Sequence, residues 1–142
     1  MSDALRFFLD EEQVITALDF PVTGIDFVFM LNEKDWKTLT KEWESRSIQW
    51  KEGITYFAGF IELNQTSTIL IKAIYETESL IVTQALFSIH QSITEELNET
   101  SKLSFTFNKK DKQKIIQELE YRKNDFDTFS ELKELFLFLS AT

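Results

Sequence analysis

Three glycines and one proline are all the backbone punctuation available to this chain of 142 residues. Glycine and proline supply most of the special dihedrals that tight turns require. A chain so poor in both must place its length in long regular elements joined by few loops. Cysteine is absent as well, so neither a disulfide framework nor a thiolate-bound zinc can substitute for a core. Burial has to hold the fold. Hydrophobic residues at 43% of the chain suffice for one sizeable core in a single domain spanning residues 1–142.

The same scarcity removes whole classes of chemistry. Gly24, Gly53 and Gly59 lie too far apart for a phosphate-cradling loop or a dinucleotide fingerprint. His90 is the sole histidine, which excludes zinc motifs built on two histidines and leaves any general base without a neighbouring nucleophile motif. Carboxylates cluster at Glu11/Glu12, at Glu95/Glu96 with Glu99, at Glu118/Glu120 and at Asp125/Asp127. Asp125-Phe-Asp127 lacks the glycine and the further oxygen ligands of a calcium loop, and solvated acids on helix surfaces account for the rest. No catalytic residue, cofactor or metal is expected.

Hydrophobic periodicity predicts the elements. GIDFVFML (24–31) reads as a short buried strand, after an irregular or briefly helical start that ends at Pro21. Asn32 caps a helix on which Trp36, Leu39 and Trp43 share one face. GITYFAGFIEL (53–63) and STILIKAIYE (67–76) read as strands joined by a turn at 64–66; the second alternates Ile69, Ile71, Ala73 and Tyr75 against polar residues. Residues 80–97 fit two templates. Val82, Leu86, Ile89, Ile93 and Leu97 make a helix face, whereas Ile81, Thr83, Ala85, Phe87 and Ile89 make a strand face. The β-branched density at 80–83 favours a third meander strand to about residue 89, with a helical turn at 93–99. LSFTF (103–107) alternates as a strand, Asn108 caps the next helix, and Thr128-Phe-Ser-Glu131 matches a capping box opening the last one. The predicted fold is α+β, a mostly antiparallel sheet of four or five strands with helices packed on one face.

Charge points to the kind of partner. With 15 basic and 24 acidic residues the net charge is −9, a field that repels nucleic acid and anionic membrane and steers a basic protein inward. Residues 109–123 carry six of the bases; without interleaved aromatics in an acidic protein, they read as intramolecular complement rather than a nucleic-acid site. The amino-terminal MSDALRFFLDEEQ has neither the basic region nor the apolar stretch of a secretory signal, and LFLFL at 135–139 is far too short to span a bilayer. The expected location is the cytoplasm. Most of the aromatics read as core, but Trp50, beyond the tryptophan helix in SIQWKEG, reads as the exposed indole and a candidate interface anchor.

The order of strand, DWKTLTKEW helix, Phe/Ile-rich meander (54–89) and closing helix DFDTFSELKELF resembles small bacterial immunity proteins of contact-dependent and type VI competition systems. The resemblance covers about two-thirds of the chain, has the tryptophan helix as its only local marker, and carries no site residue over. It implies a cytosolic, non-enzymatic protein that binds and neutralises a cognate toxin, often a basic nuclease. The residues expected to touch that partner are Trp50, Glu95, Glu96, Glu99, Asp125, Asp127, Glu131 and Glu134. The alternative is a small regulatory or adaptor domain, homodimeric through a sheet edge or through the apolar C-terminal helix, where Leu137 and Phe138 extend the apolar surface.

Overall fold

The computed structural model describes residues 1–142 and contains no strand. Nine α-helices follow one another: α1 Asp3–Leu9, α2 Glu11–Asp19, α3 Val22–Val28, α4 Glu33–Glu42, α5 Ile48–Ala58, α6 Leu63–Ile74, α7 Ser79–Thr100, α8 Lys109–Tyr121 and α9 Ser130–Ala141. Short 3-10 turns at Trp43–Ser45 and Lys123–Asp125 extend α4 and α8. The α+β expectation is therefore wrong, and each misread segment shows why.

Residues 53–63 fall on the second half of α5 and the turn after it. Trp50, Gly53, Ile54, Phe57 and Ala58 are all buried; a helix covered over much of its circumference shows no clean period in sequence. In residues 67–76 the buried set is Ile69, Leu70, Ala73 and Ile74, which is helical spacing, and Tyr75 is left exposed. The ambiguous stretch 80–97 is the 22-residue α7, burying Ile81, Val82, Ala85, Leu86, Ser88, Ile89, Ser92 and Ile93. Residues 24–31 supply α3 and the turn beyond it, with Gly24 and Val28 buried but Phe29 and Met30 exposed. The alternation in 103–107 is real, since Ser104 and Thr106 are exposed while Leu103, Phe105 and Phe107 are covered. The segment joins α7 to α8 without pairing to any strand. β-Branched residues suit a pleated surface but prefer it only weakly, and tertiary packing overrides them.

Several local signals hold. Asn32 and Asp35 form a reciprocal capping box: Asn32 Oδ1 accepts from Asp35 N at 2.9 Å, and Asp35 Oδ2 accepts from Asn32 N at 3.1 Å. Asn108 Oδ1 accepts from Asp111 N at 2.8 Å and opens α8. The capping box expected at Thr128 does not form; α9 begins at Ser130 behind Phe129, with no side-chain cap. Joints are short, as the lack of glycine requires. Asp10 alone closes α1 and caps α2, accepting from Gln13 N at 3.1 Å.

Helix α7 lies at the centre, with α5 and α6 packed along it and α9 against its other side. Helices α1 to α3 gather around α5, α4 lies on α6, and α8 joins α6 to α9. One apolar cluster of 32 buried residues runs from Ala4 to Leu139. Where α5 ends, Gly59 brings the chain so close to α7 that a Cβ there would stand 3.0 Å from Ser88 Cα. Polar groups at this close approach are paired. Ser88 Oγ donates to the Thr55 carbonyl at 2.7 Å, and Ser92 Oγ to the Ile61 carbonyl at 2.9 Å. No helix is long and apolar enough to cross a membrane.

Candidate protein-binding groove

The C-terminal turns of α7 carry Glu95, Glu96 and Glu99. A helix C-terminus is the negative end of the macrodipole, where lysine or arginine is favoured and carboxylates are not. No basic residue occupies that last turn. Facing these acids are the turn after α3, the turn after α5 and the start of α6. Together they bound a groove of about 380 Å³ lined by Phe29, Leu31, Phe60, Ile61, Glu62, Gln65 and Ser92 besides the three α7 glutamates and Thr100. Leu31 and Ile61 are buried in its floor, and Phe60 is half-buried. Phe29 stands 61% exposed at its edge, packed edge-to-face on Phe60 with ring centroids 6.5 Å apart, and the adjoining Met30 is 65% exposed.

None of Glu62, Glu95, Glu96 and Glu99 has a basic partner in the folded chain, whereas seven other acidic residues do, His90's partner included. Glu96 is the most constrained of the four. Its Oε1 accepts from Ser104 N at 3.0 Å and from Ser104 Oγ at 2.6 Å, while its Oε2 is buried and accepts from nothing. Gln65 Oε1, on the opposite wall, is likewise buried without a donor. The groove thus offers negative charge, two acceptors in want of donors, and an apolar floor edged by Phe29 and Phe60.

The other expected contact residues are elsewhere. Trp50 is fully buried, 0% exposed, and donates through Nε1 to the Phe8 carbonyl at 2.8 Å. The Arg46 guanidinium lies 4.9 Å above its ring and donates to the Leu9 carbonyl at 2.6 Å. It is a core residue, and the expectation of an exposed anchor fails because α1 and α2 cover it. Asp125 and Asp127 lie exposed around the short turn before α9, and Glu131 takes a 3.3 Å hydrogen bond from Ser130 Oγ. Glu134 Oε2 meets His90 Nε2 at 2.8 Å. None of these four lines the groove. The structure therefore brings together the acids of 95–99 and separates them from those of 125–134. Glu62, Phe29 and Phe60 belong to the site but escaped the sequence, because each lay in a segment that read as a strand. Phe29 and Met30 did carry a signal: an apolar pair placed between the end of one element and the Asn32 cap of the next has no helix face to occupy.

His90 is not set in a nucleophile–base–carboxylate relay. Glu134 and Thr94 Oγ1, at 3.5 Å, both address the same ring nitrogen. A nucleophile and an orienting carboxylate must engage opposite nitrogens. No group of three or more His, Asp or Glu side chains is arranged to hold a metal ion. The other strongly coupled polar group is structural. Lys51 Nζ and Trp43 Nε1 both donate to Glu76 Oε1 at 2.8 Å. Burial pushes the Glu76 carboxyl up, but the hydrogen bonds from Lys51 and Trp43, the Lys51 charge and the Thr77 amide outweigh it and hold the group below its ordinary value. No protein-family model, no curated protein and no solved structure matches this chain.

Proposed function

We propose that this is a non-catalytic binding protein whose acidic, aromatic groove receives a basic amphipathic segment of a protein partner. One observation carries the reading: four glutamates without counter-ions surround an apolar floor at the negative end of α7, beside exposed Phe29 and Met30. Lysine or arginine side chains would supply the donors that Glu96 Oε2 and Gln65 Oε1 lack, with charge-assisted bonds to the carboxylate. Apolar residues of the same segment would cover Phe29 and Phe60. The net charge of −9 would speed the encounter at low salt.

The most specific form of this proposal is an immunity protein acting in the cytoplasm, which occludes the active site of a basic, nuclease-like toxin. Acidity and small size support it. The β-meander that carried the resemblance to such families is helical here and lends no support. The test is capture on immobilised wild-type protein and on a Glu95→Lys/Glu99→Lys variant, from lysate of the native organism at low and moderate salt. One stoichiometric basic protein, weakened by salt and lost by the variant, is expected. A partner set identical for the two proteins overturns the groove reading. A captured partner whose catalytic activity is unchanged by the stoichiometric complex overturns the immunity form alone.

Self-association is the second reading, favoured by Leu137. It is 56% exposed on α9, beside Phe126 and Phe136 in a hollow of about 550 Å³. Phe138, by contrast, packs against the core. Sedimentation that depends on protein concentration, and ceases to do so in Leu137→Lys, supports this reading; a concentration-independent monomer rejects it.

A further inference from the structure

The three indoles of this protein meet unequal surroundings. Trp43 Nε1 donates to Glu76 Oε1 and Trp50 Nε1 to the Phe8 carbonyl, each at 2.8 Å. Trp36 Nε1 donates to nothing, although the residue is only 2% exposed. Buried polar groups are nearly always paired, and an exception calls for a cause. Gln65 on α6 has the converse deficit, an Oε1 that is buried and accepts from nothing. Both side chains line one hollow of about 300 Å³ between α4 and α6, in which Trp36 is the single apolar residue. Glu33, Lys37, Thr40 and Lys41 from α4 and Asn64 and Thr68 from α6 form the rest of its wall, with Lys37 Nζ 3.9 Å from Glu33 Oε1.

We propose that this hollow is a binding site for an amide group. Its carbonyl would accept from Trp36 Nε1, and its N–H would donate to Gln65 Oε1. The choice follows from the two deficits. A carboxylate satisfies the indole and suits Lys37 and Lys41, but brings no hydrogen for Gln65. An ammonium satisfies Gln65, but leaves the indole unpaired and meets two lysines against the one carboxylate of Glu33. A neutral group with a donor and an acceptor satisfies both; a hydroxyl must serve both partners from one oxygen, whereas an amide presents them on separate atoms, as two separate protein groups require. The site shares Gln65 Oε1 with the acidic groove, and the two ligands would compete for that acceptor. Trp36 lines this hollow and not the groove, so its indole reports on this site alone.

The indoles themselves provide the test. A ¹H–¹⁵N spectrum of the wild-type protein contains three indole cross-peaks, with Trp36 assigned through Trp36→Phe, or through side-chain to backbone correlations if that variant is unstable. Acetamide should move the Trp36 peak saturably and leave those of Trp43 and Trp50 in place. N,N-Dimethylacetamide, which has no N–H, should bind about tenfold more weakly, as should acetamide to Gln65→Leu, the loss expected for one hydrogen bond. Acetate, which brings no hydrogen for Gln65, should also bind about tenfold more weakly than acetamide. A linear response to every compound, an equal response to acetate and acetamide, or an unaltered response in Gln65→Leu overturns the site. A blocked dipeptide amide distinguishes the sources of the ligand. Tighter binding than acetamide supports a peptide, and weaker binding supports a small carboxamide.

Discussion

Trp50 illustrates what a single residue reveals and what it withholds. Its indole reaches a carbonyl 42 residues earlier in the chain, a pairing that no local pattern encodes. Trp50→Phe leaves the Phe8 carbonyl buried without its donor and weakens the stacking of Arg46 on a smaller ring. A loss of about 2 kcal/mol in urea unfolding is expected, with partner affinity of the folded protein unchanged. An affinity loss larger than the stability loss would return Trp50 to the interface. Glu76 makes a prediction in pH. Its carboxyl is held low in the folded state, so the stabilisation is complete above the unfolded value, about 4.3, and disappears as pH falls through the depressed one. The stability difference between wild type and Glu76→Gln should shrink as unfolding is measured from pH 5 towards pH 3; a difference that stays constant would show that the Lys51–Glu76–Trp43 arrangement does not survive in solution. At this scale the sequence was legible for direction only. The spacing of Trp36, Leu39 and Trp43 placed all three on the buried face, as the structure has them, but it could not tell a bonded indole from an unpaired one.

Between helices, the decisive feature is the approach of α5 to α7 at Gly59 and Ser88. A methyl at position 59 would press on α7 backbone 3.0 Å away. Gly59→Ala should therefore cost about 1–3 kcal/mol in thermal or urea unfolding, and a neutral result would mean that the helices stand further apart. Asn32→Ala opens the capping box of α4 and should cost about 1 kcal/mol, while Asn98→Ala, exposed near the end of α7, should not approach that value. Helix starts at Asn32 and Asn108 were readable because a cap is a local hydrogen bond between residues three apart. The helical nature of α5 and α6 was not read, and that of α7 was read only as one of two templates, because the period that betrays a helix is a contrast between a buried and an exposed face. Here α7 is covered on several sides, and Ile81, Val82, Ala85, Leu86, Ile89 and Ile93 leave little contrast. Isoleucine, valine and phenylalanine then tip a reading based on propensity towards strand. A far-UV circular dichroism spectrum with the double minimum of a helix and no sheet component is expected; a dominant sheet signal would contradict the fold.

For the molecule as a whole, the groove exists only because four separated stretches converge: the turns at 29–31 and 60–62, the start of α6 and the last turns of α7. Glu95→Lys/Glu99→Lys places positive charge at the negative end of α7. The melting temperature should stay level or rise slightly while salt-sensitive binding is lost. A fall in stability instead would mean that the acids serve the fold rather than a partner. The sequence by itself determined the bulk terms: one apolar cluster without disulfides, short joints, an acidic field, and the lack of a glycine-rich loop or a two-histidine motif, since these depend on composition alone. It also determined local caps, whose partners are neighbours in the chain. The tertiary structure alone decided helix over strand for residues 53–97. A helix satisfies its backbone hydrogen bonds internally, and surrounding α7 with α5, α6 and α9 buries its apolar residues on more sides than one sheet face would. The tertiary structure also decided that Trp50 lies inside, and that the acids of 95–99, not those of 125–134, share a groove with Phe29 and Phe60. Those outcomes depend on distances between residues far apart in sequence, which are set only when the helices pack.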